Sequence, residues 1–244
     1  MKMSFPKMNL HIHSTFSDGK ASIRKMVKSA LKLNLDYIAI TDHFTDSWKD
    51  WVSKLKDIDK ISEYLGEITE CQNYIREYGK KLVVFKGLEV DLGSSARFIK
   101  KNIHPSKFDL ILFEYLQDVE TIAFIKNIIN FWKRTIQNIG ELPIIGLAHL
   151  DPSYFMYNNL DILISFLKNY SIYFEFNPSY PTYYSRKNEI FFAKLKDNNI
   201  PVAIGCDSHS ISSLNYIEEP LEMIKYYNLE GNLQLLIKIL ENKC

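Results

Sequence analysis

Short apolar runs alternate with longer amphipathic stretches along most of the chain, and this alternation limits the folds that it can adopt. Seven of the runs are mostly apolar and rich in Ile, Val and Phe, as expected of strands that helices cover. These predicted strands cover residues 8–11, 37–41, 82–88, 110–113, 144–148, 172–176 and 202–205. Alternating strands and helices predict an α/β fold with a parallel sheet, either open or closed into a barrel.

The stretches between the predicted strands have apolar residues at helical spacing. The clearest is 22–33, where Ile23, Met26, Val27 and Ala30 fall on one face. Further helices are predicted at 48–80, 121–139, 160–169, 187–198 and 233–241. Since the sequence has no internal repeat and no linker rich in Pro, Gly or Ser, residues 1–244 are predicted to form a single domain.

Composition narrows the class of protein. A formal net charge of +1 gives the 244-residue chain no general tendency to bind nucleic acids or membranes. Three widely separated cysteines do not predict a disulfide framework. No apolar stretch approaches the roughly 20 residues that span a bilayer, and the first residues lack the apolar region of a signal peptide. A cytoplasmic protein is therefore expected, while the sequence leaves the oligomeric state open.

Polar residues cluster where the predicted strands end. The active site of a parallel α/β barrel is built from loops at the carboxyl ends of its strands, so this placement favours a closed, TIM-like barrel. The strongest local signal is His11-Ile12-His13, because residues i and i+2 of a strand point to the same face. Two imidazoles on one face can bind Zn, Fe or Mn. The nearby Asp18-Gly19 pair is either an ordinary turn or the source of a carboxylate ligand.

Carboxylates follow the second and third predicted strands. His43 is a predicted metal ligand, whereas Asp42 is a ligand, an orienting partner for an imidazole, or a helix N-cap. Glu89 leaves a buried strand and needs a partner, which a bridged metal ion or a basic side chain would supply. Asp91 is a weaker candidate for the same role.

The later strands end in a similar way. His149 closes an apolar run and is interpreted as a ligand rather than a core histidine. Asp207 and His209 repeat the i, i+2 spacing; Asp207 suits a metal that activates water, and His209 is either a ligand or an acid/base group. Glu175 and Asn177 share one side of their strand and are assigned supporting roles.

Several residues are assigned less specific roles. Tyr180, Tyr183 and Tyr184 belong to the core or cover the mouth of the site. Arg186 and Lys187 are either speculative phosphate contacts or an exposed helix start. Cys206 is expected to pack in the wall, and His104 is expected at the surface.

These motifs, in their order along the chain, resemble those of the PHP (polymerase and histidinol phosphatase) superfamily. The resemblance runs from about residue 9 to 210. It implies a distorted (β/α)7 barrel that holds two or three divalent ions (Mn, Fe or Zn) and hydrolyses phosphoesters. By position, the implied metal ligands are His11, His13, Asp18, His43, Glu89, His149, Asp207 and His209. Glu89 is implied to bridge two ions.

One position departs from the family pattern. The family has a histidine shortly after the fourth strand, and by spacing Leu116 stands in its place. Glu114 is the nearest substitute. Either Glu114 is a carboxylate ligand, or one metal position is weak or empty.

The resemblance implies a metal-dependent phosphoesterase that cleaves a small phosphomonoester by a hydroxide bridging two metals, with His209 or bound water protonating the leaving group. Histidinol phosphate is one candidate substrate. Three alternatives stay open: a phosphodiesterase or exonuclease on nucleotides or oligonucleotides, an amidohydrolase-type metal hydrolase, and a non-catalytic scaffold. Asp207, His209 and Glu89 favour the phosphoesterase over the amidohydrolase, and the nearly complete ligand set weighs against a scaffold.

Overall fold

A computed structural model describes residues 5–48, 50–136 and 140–243 of the chain. Its strands are β1 (Met8–Ile12), β2 (Tyr37–Ile40), β3 (His43–Phe44), β4 (Val83–Asp91), β5 (Leu110–Glu114), β6 (Ile144–Leu147), β7 (Tyr173–Phe176) and β8 (Val202–Ile204). Seven of them form one parallel sheet in the order β1-β2-β4-β5-β6-β7-β8, and the two-residue β3 pairs with β4. The predicted parallel α/β sheet is confirmed.

The two edges of this sheet meet, so the sheet is a nearly closed barrel. His13 N–H donates to the Ser208 carbonyl at 3.0 Å, and Ser208 N–H donates to the His11 carbonyl at 3.0 Å. The buried Asn9 side chain reinforces the seam: its amide donates to Ser208 Oγ and the Leu214 carbonyl, and its oxygen accepts from Cys206 N–H. The distorted (β/α)7 architecture is thereby confirmed.

Helices surround the barrel. In the residues that the structure describes, the α-helices are α1 (Ile23–Lys32), α2 (Ile58–Glu77), α3 (Ala96–Asn102), α4 (Val119–Thr135), α5 (Leu160–Tyr170), α6 (Glu189–Asp197), α7 (Glu218–Tyr226) and α8 (Glu230–Glu241). None of these helices is long and apolar enough to cross a membrane.

Several of the predicted boundaries differ from the structure, and four of them affect the regions around the strand ends. The helix predicted at 48–80 begins only at Ile58, because the Asp57 side chain caps it by accepting from Lys60 N–H, and Leu55 bridges to Phe44 instead. The helix predicted at 121–139 ends at Thr135, and residues 137–139 lie outside the described residues. β4 continues past the predicted end at 88 to Asp91 and β5 continues to Glu114, so Glu89 and Glu114 lie on strands rather than in loops.

Candidate metal centre

Glu89 lies at the middle of a buried group of histidines at the carboxyl ends of the strands. It is in register with His43 on β3, and its carboxylate is fully buried. Its oxygens lie 3.0–3.4 Å from four imidazole nitrogens, namely His11 Nε2 (3.2 Å), His13 Nε2 (3.3 Å), His43 Nδ1 (3.0 Å) and His149 Nε2 (3.4 Å). One carboxylate among four imidazoles is the arrangement expected of a ligand shared between metal ions.

The possible ligand atoms form three overlapping groups within the described residues. The groups are His11, His13 and Glu89; His43, Glu89 and Glu114; and His13, Asp18, His43 and His209. In each group the nitrogen and oxygen atoms lie within 4.8 Å of one another. Because neighbouring groups share His13, His43 or Glu89, ions in them would have ligands in common.

The buried polar atoms of this cluster fit metal ions. Hydrogen-bond partners with acceptable geometry are lacking, among the described residues, for His11 Nε2, His13 Nε2, His43 Nδ1 and all four carboxylate oxygens of Glu89 and Glu114. A buried carboxylate without a partner is costly to the fold. Divalent cations would satisfy all of these atoms together, since imidazole nitrogen and carboxylate oxygen are their usual ligands.

The pKa values of the histidines reflect the anionic field of the cluster. Burial lowers the pKa of His43, but the nearby negative charges of Glu89 and Glu114 outweigh burial and raise it to about 11. Burial likewise lowers the pKa of His11, and the charges of Glu89, Glu175 and Asp207 raise it well above its ordinary value. In the metal-free protein these carboxylates attract protons to the imidazoles. The same field would attract divalent cations.

Asp18 and His209 form the outer edge of the cluster. Asp18 Oδ2 lies 3.1 Å from His209 Nε2, and Asp18 Oδ1 lies 3.7 Å from His13 Nδ1. Partial burial raises the pKa of Asp18, but the hydrogen bond to His209 and the neighbouring imidazoles lower it to about 2. Asp18 is therefore brought into the cluster rather than left in a surface turn.

Asp207 and His149 reach the cluster from strained backbone. Asp207 Oδ1 lies 3.1 Å from His13 Nε2 and 3.6 Å from His11 Nε2. His149, Asp207 and Tyr115 have positive φ angles of 33°, 49° and 64°. This left-handed region costs a residue other than glycine roughly 1–2 kcal/mol. The surrounding structure holds three such residues just after β6, β8 and β5, where the chain turns at the mouth of the barrel.

Glu114, the candidate substitute for the missing histidine, lies inside the cluster. Its side chain is fully buried, with Oε1 3.2 Å from His43 Nδ1 and Oε2 3.9 Å from His149 Nε2. Burial and the charge of Glu89 raise the pKa of Glu114 to about 7. Leu116 is also buried and packs in the apolar core. The carboxylate, and not position 116, thus faces the candidate ligands.

Glu175 supports two of the candidate ligands. His11 Nδ1 donates to Glu175 Oε1 at 2.8 Å, which turns His11 Nε2 toward Glu89. Glu175 Oε2 accepts from His149 N–H at 2.8 Å and from the Asn177 amide at 3.0 Å. Gly205 is required beside it, because a Cβ there would collide with the Glu175 carboxylate and lie 2.8 Å from His11 Cβ.

Asp42 has a role that the sequence did not predict. Its carboxylate accepts from Ser14 N–H (2.8 Å), Ser14 Oγ (2.7 Å), Ser17 N–H (2.9 Å) and Ser17 Oγ (2.6 Å). These bonds occupy both oxygens, so Asp42 holds the loop between His13 and Asp18 instead of binding metal, orienting an imidazole or capping a helix. Ser14 and Ser17 were not singled out, because serine in a short loop carries little signal.

For three weaker candidates the structure shows contacts outside the cluster of possible ligands. Asp91 accepts hydrogen bonds from Thr45 and Ser47 hydroxyls and from Gly93 N–H, and so stabilises the neighbouring loop. The Arg186 guanidinium lies 4.9 Å from the Tyr226 ring centroid, and the described ion pairs do not connect it to the cluster. The exposed Arg186 begins the short 3-10 turn before α6, as one of its two interpretations predicted, and its role as a phosphate contact stays a prediction. Tyr184 is buried against Phe176 in the core and does not cover the mouth.

Aromatic rings do lie beside the cluster. The rings of Tyr115 and Tyr180 have centroids 5.7 Å and 4.8 Å from that of His149, and Tyr183 stacks on Tyr180. Trp48 lies 4.4 Å from His43 on another side of the cluster. The sequence indicated Tyr180 and Tyr183. Trp48 was missed because the stretch that contains it was interpreted as a helix.

Comparison with known proteins agrees with this geometry. Residues 9–241 match the family model described as the PHP domain. The structure resembles histidinol phosphate phosphatase of Lactococcus lactis, solved with zinc, L-histidinol and phosphate, at a TM-score of 0.62 and 19% identity over 93% of this chain and 94% of that one. It also resembles a chain from the crystal structures of metal-dependent tyrosine phosphatases of Bacillus subtilis and Streptococcus pneumoniae, at a TM-score of 0.58 and 14% identity. That match covers 97% of this chain and 92% of the other one.

A local sequence match is closer but short. Thirty-seven residues are 54% identical to the DNA polymerase/3'-5' exonuclease PolX of Bacillus subtilis. They amount to 15% of this chain and 6% of that protein. The match therefore concerns a segment and leaves the activity of the whole protein open.

Proposed function

The chain belongs to the PHP domain family, and from this premise we propose that it is a metal-dependent phosphoesterase acting on a small phosphomonoester. The observation that carries the proposal is the set of buried nitrogen and oxygen atoms without hydrogen-bond partners that converge on Glu89 at the mouth of the barrel. Such a set is costly to the fold unless cations bind there, and so it is best explained by function.

The proposed metal ligands are the residues whose nitrogen or oxygen atoms converge at this mouth. They are His11, His13, Asp18, His43, Glu89, Glu114, His149, Asp207 and His209. When bound, two or three divalent ions (Mn, Fe or Zn) would activate water as a nucleophile and offset the charge of a phosphoryl group. Glu175 would fix the proton on His11 Nδ1 and leave Nε2 free as a ligand atom.

His209 has a second role as the alternative to metal binding: when neither of its nitrogens binds a metal ion, it is the histidine best placed to protonate the leaving group. Its side chain is 34% exposed, whereas the exposure of the other four cluster histidines is 8% or less. Asp18 Oδ2 lies 3.1 Å from its Nε2 and would orient the imidazole. A proton donor at the rim, rather than in the interior, can reach the oxygen of a departing alcohol.

The surroundings of the cluster favour a small substrate. The described ion pairs bring no Lys or Arg side chain into the cluster, and a polynucleotide depends on such contacts for affinity. The rings of Trp48, Tyr115 and Tyr180 suit a planar group next to the phosphate. Histidinol phosphate has such a group, and a similar fold binds L-histidinol. It is the substrate to test first.

The rival functions predict other products. A phosphodiesterase acting on nucleotides, which the short match to a polymerase/exonuclease motivates, would release nucleoside monophosphates. An amidohydrolase-type enzyme would cleave C–N or C–O bonds and release no phosphate. A scaffold would turn over none of these substrates.

The decisive experiment uses protein treated with chelator and reloaded with Mn²⁺, Fe²⁺ or Zn²⁺. Inorganic phosphate release is measured from histidinol phosphate, phosphotyrosine and glycerol phosphate, beside a diester panel. We expect His11→Ala to remove most phosphomonoesterase activity and His104→Ala, at an exposed position, to keep it. Phosphate release by the His11→Ala protein at the wild-type rate would contradict the proposal, and so would activity confined to diesters.

A further inference from the structure

The position of Glu114 makes one part of the cluster richer in oxygen than the rest. His43, Glu89 and Glu114 form a group with one imidazole and two carboxylates. The group of His11, His13 and Glu89 has two imidazoles and one carboxylate, and the outer group has three imidazoles and one carboxylate. The three candidate positions therefore differ in ligand chemistry although they share residues.

The barrel register explains why Glu114 reaches this position. Leu112 on β5 lies opposite Glu89 on β4. Glu114 is two residues further along β5, so it points to the same side as Leu112 and lies just beyond Glu89. Its oxygens have no hydrogen-bond partner within the described part of the chain, and its side chain is fully buried. Glu114 thus faces His43 and Glu89 at the candidate metal position and not solvent.

From this ligand set we infer that the position formed by His43, Glu89 and Glu114 prefers a hard divalent cation, Mn²⁺ or Mg²⁺, while the histidine-rich positions prefer Zn²⁺ or Fe²⁺. Carboxylate oxygens suit Mg²⁺ and Mn²⁺, whereas imidazole suits Zn²⁺ and Fe²⁺. The carboxylate also adds a negative charge where an imidazole would be neutral, which favours a cation beside Glu89. The protein would then hold two kinds of metal at once. This inference rests on the ligand set of the proposed function.

Metal uptake tests the inference without reference to activity. Because Zn²⁺ binds most nitrogen and oxygen sites more tightly than Mn²⁺, chelator-treated protein is equilibrated with three equivalents of Zn²⁺ and a large excess of Mn²⁺. It is then separated from free metal and measured by elemental analysis and by the Mn²⁺ electron paramagnetic resonance signal. The wild-type protein should bind about one Mn²⁺ and about two Zn²⁺ per chain, because each ion selects its ligand type.

Two substitutions and a control make the measurement specific. Glu114→Gln should lose the Mn²⁺ ion and retain the Zn²⁺ ions, because an amide is a weaker ligand and carries no charge. Glu114→His should replace the Mn²⁺ by Zn²⁺. Glu120→Gln, at an exposed position in α4, should bind metal like the wild type. Thermal unfolding curves of each variant show whether it is folded before its metal content is compared.

The outcomes separate this inference from the proposed function. Binding of Zn²⁺ alone from the mixture, or equal Mn²⁺ content in wild type and Glu114→Gln, would overturn the inference while phosphomonoesterase activity could still be found. Mixed binding that depends on Glu114 supports the inference, even in a protein that releases no phosphate from any monoester. Such a protein would refute only the proposed function.

Discussion

Glu175 shows how a residue that is not a proposed ligand can determine the geometry of the cluster. One of its oxygens accepts from His11 Nδ1, and the other accepts from His149 N–H, where φ is positive. The same carboxylate therefore sets the tautomer of one imidazole and stabilises the strained backbone that positions another. Partners of this kind affect metal affinity through the ligands that they orient.

Replacing Glu175 by Gln is expected to weaken metal binding by roughly 10–100-fold, the range found for lost partners of metal-bound histidines. The amide keeps the volume beside Gly205 but loses the charge that holds the proton on His11 Nδ1. Titration calorimetry of the chelator-treated protein with Zn²⁺ measures the change. Glu222→Gln, at an exposed position in α7, is the matched control. Unchanged affinity in Glu175→Gln would show that the bond to His11 has no orienting role.

At the same scale, the sequence predicted residues better than it predicted their partners. His11 and His13 were identifiable because their spacing on a strand fixes a shared face. Asp42 was assigned to the wrong partners, because its bonds to Ser14 and Ser17 depend on a loop conformation that no periodicity encodes. Glu114 was identified through a departure from a family pattern, and the register that brings it beside Glu89 depends on strand pairing that the sequence does not encode locally.

At the scale of elements, the Asp42 carboxylate is the acceptor that makes most of the side-chain hydrogen bonds in the loop from His13 to Asp18. Asp42 binds the backbone and the hydroxyl of both Ser14 and Ser17, and Ser17 Oγ also lies 3.4 Å from His13 Nδ1. This set of hydrogen bonds, the Asp42 clamp, fixes the conformation of the loop and so places Asp18 beside the cluster. The loop thereby couples local stability to the outer metal position.

We expect Asp42→Ala to lower the free energy of unfolding by about 3 kcal/mol, since it leaves several buried donors without an acceptor. It should also reduce metal content, because Asp18 loses its fixed position. Urea unfolding gives the first quantity and elemental analysis the second. Asp59→Ala, at an exposed position in α2, should change neither. If Asp42→Ala lost stability but kept its full metal content, the hydrogen bonds of Asp42 would stabilise the loop without positioning Asp18 for metal binding.

Elements with clear periodicity were the ones predicted from the sequence. The helix predicted at 22–33 is observed as Ile23–Lys32, because a regular apolar stripe marks the helix face directly. The two-residue β3 and the short helices α3 and α7 were missed. β3 is defined by pairing with β4, which depends on tertiary contacts, and α3 and α7 are too short to build a strong pattern.

Closure of the barrel is a property of the whole molecule, and one buried amide reinforces the backbone hydrogen bonds of the seam. Asn9 on β1 binds Cys206 N–H, Ser208 Oγ and the Leu214 carbonyl across the seam. Sequence reasoning predicted a closed barrel from the polar strand ends, but it could not identify the residue that joins the edges. A single Asn in an apolar strand was the available signal.

Asn9→Leu should destabilise the protein by roughly 2–4 kcal/mol, because leucine fills the space but leaves the Cys206 N–H and the Leu214 carbonyl buried without partners. Chemical unfolding measures this loss. Asn73→Leu, at an exposed position in α2, provides the comparison and should change stability by about 0.5 kcal/mol or less. Equal stability of the two variants would show that the seam does not need the amide.

The metal cluster links the stability of the whole barrel to pH. In the metal-free protein, burial and Glu89 raise the pKa of Glu114 from 4.5 to about 7, so the folded state becomes less favourable as pH rises through this range and Glu114 loses its proton. Against burial, Glu89 and Glu114 raise the pKa of His43 from 6.5 to about 11. The stability that His43 contributes is therefore complete below pH 6.5 and is lost as pH rises toward 11. The lowered pKa of His13 offsets part of this trend.

Metal ions reverse the trend, because they bind deprotonated ligands and so bind more tightly as pH rises. Free metal at 100 times its dissociation constant stabilises the folded state by about 2.7 kcal/mol. We therefore expect the difference in Tm between metal-loaded and chelator-treated protein to be larger at about pH 8 than at about pH 6. Differential scanning calorimetry at both pH values measures it. Glu114→Gln removes one titrating ligand, so the metal-induced difference in Tm should change less between the two pH values than it does in the wild type. Glu120→Gln should show the same change as the wild type. A difference in Tm that is independent of pH would mean that the ions bind without displacing protons from these histidines and carboxylates.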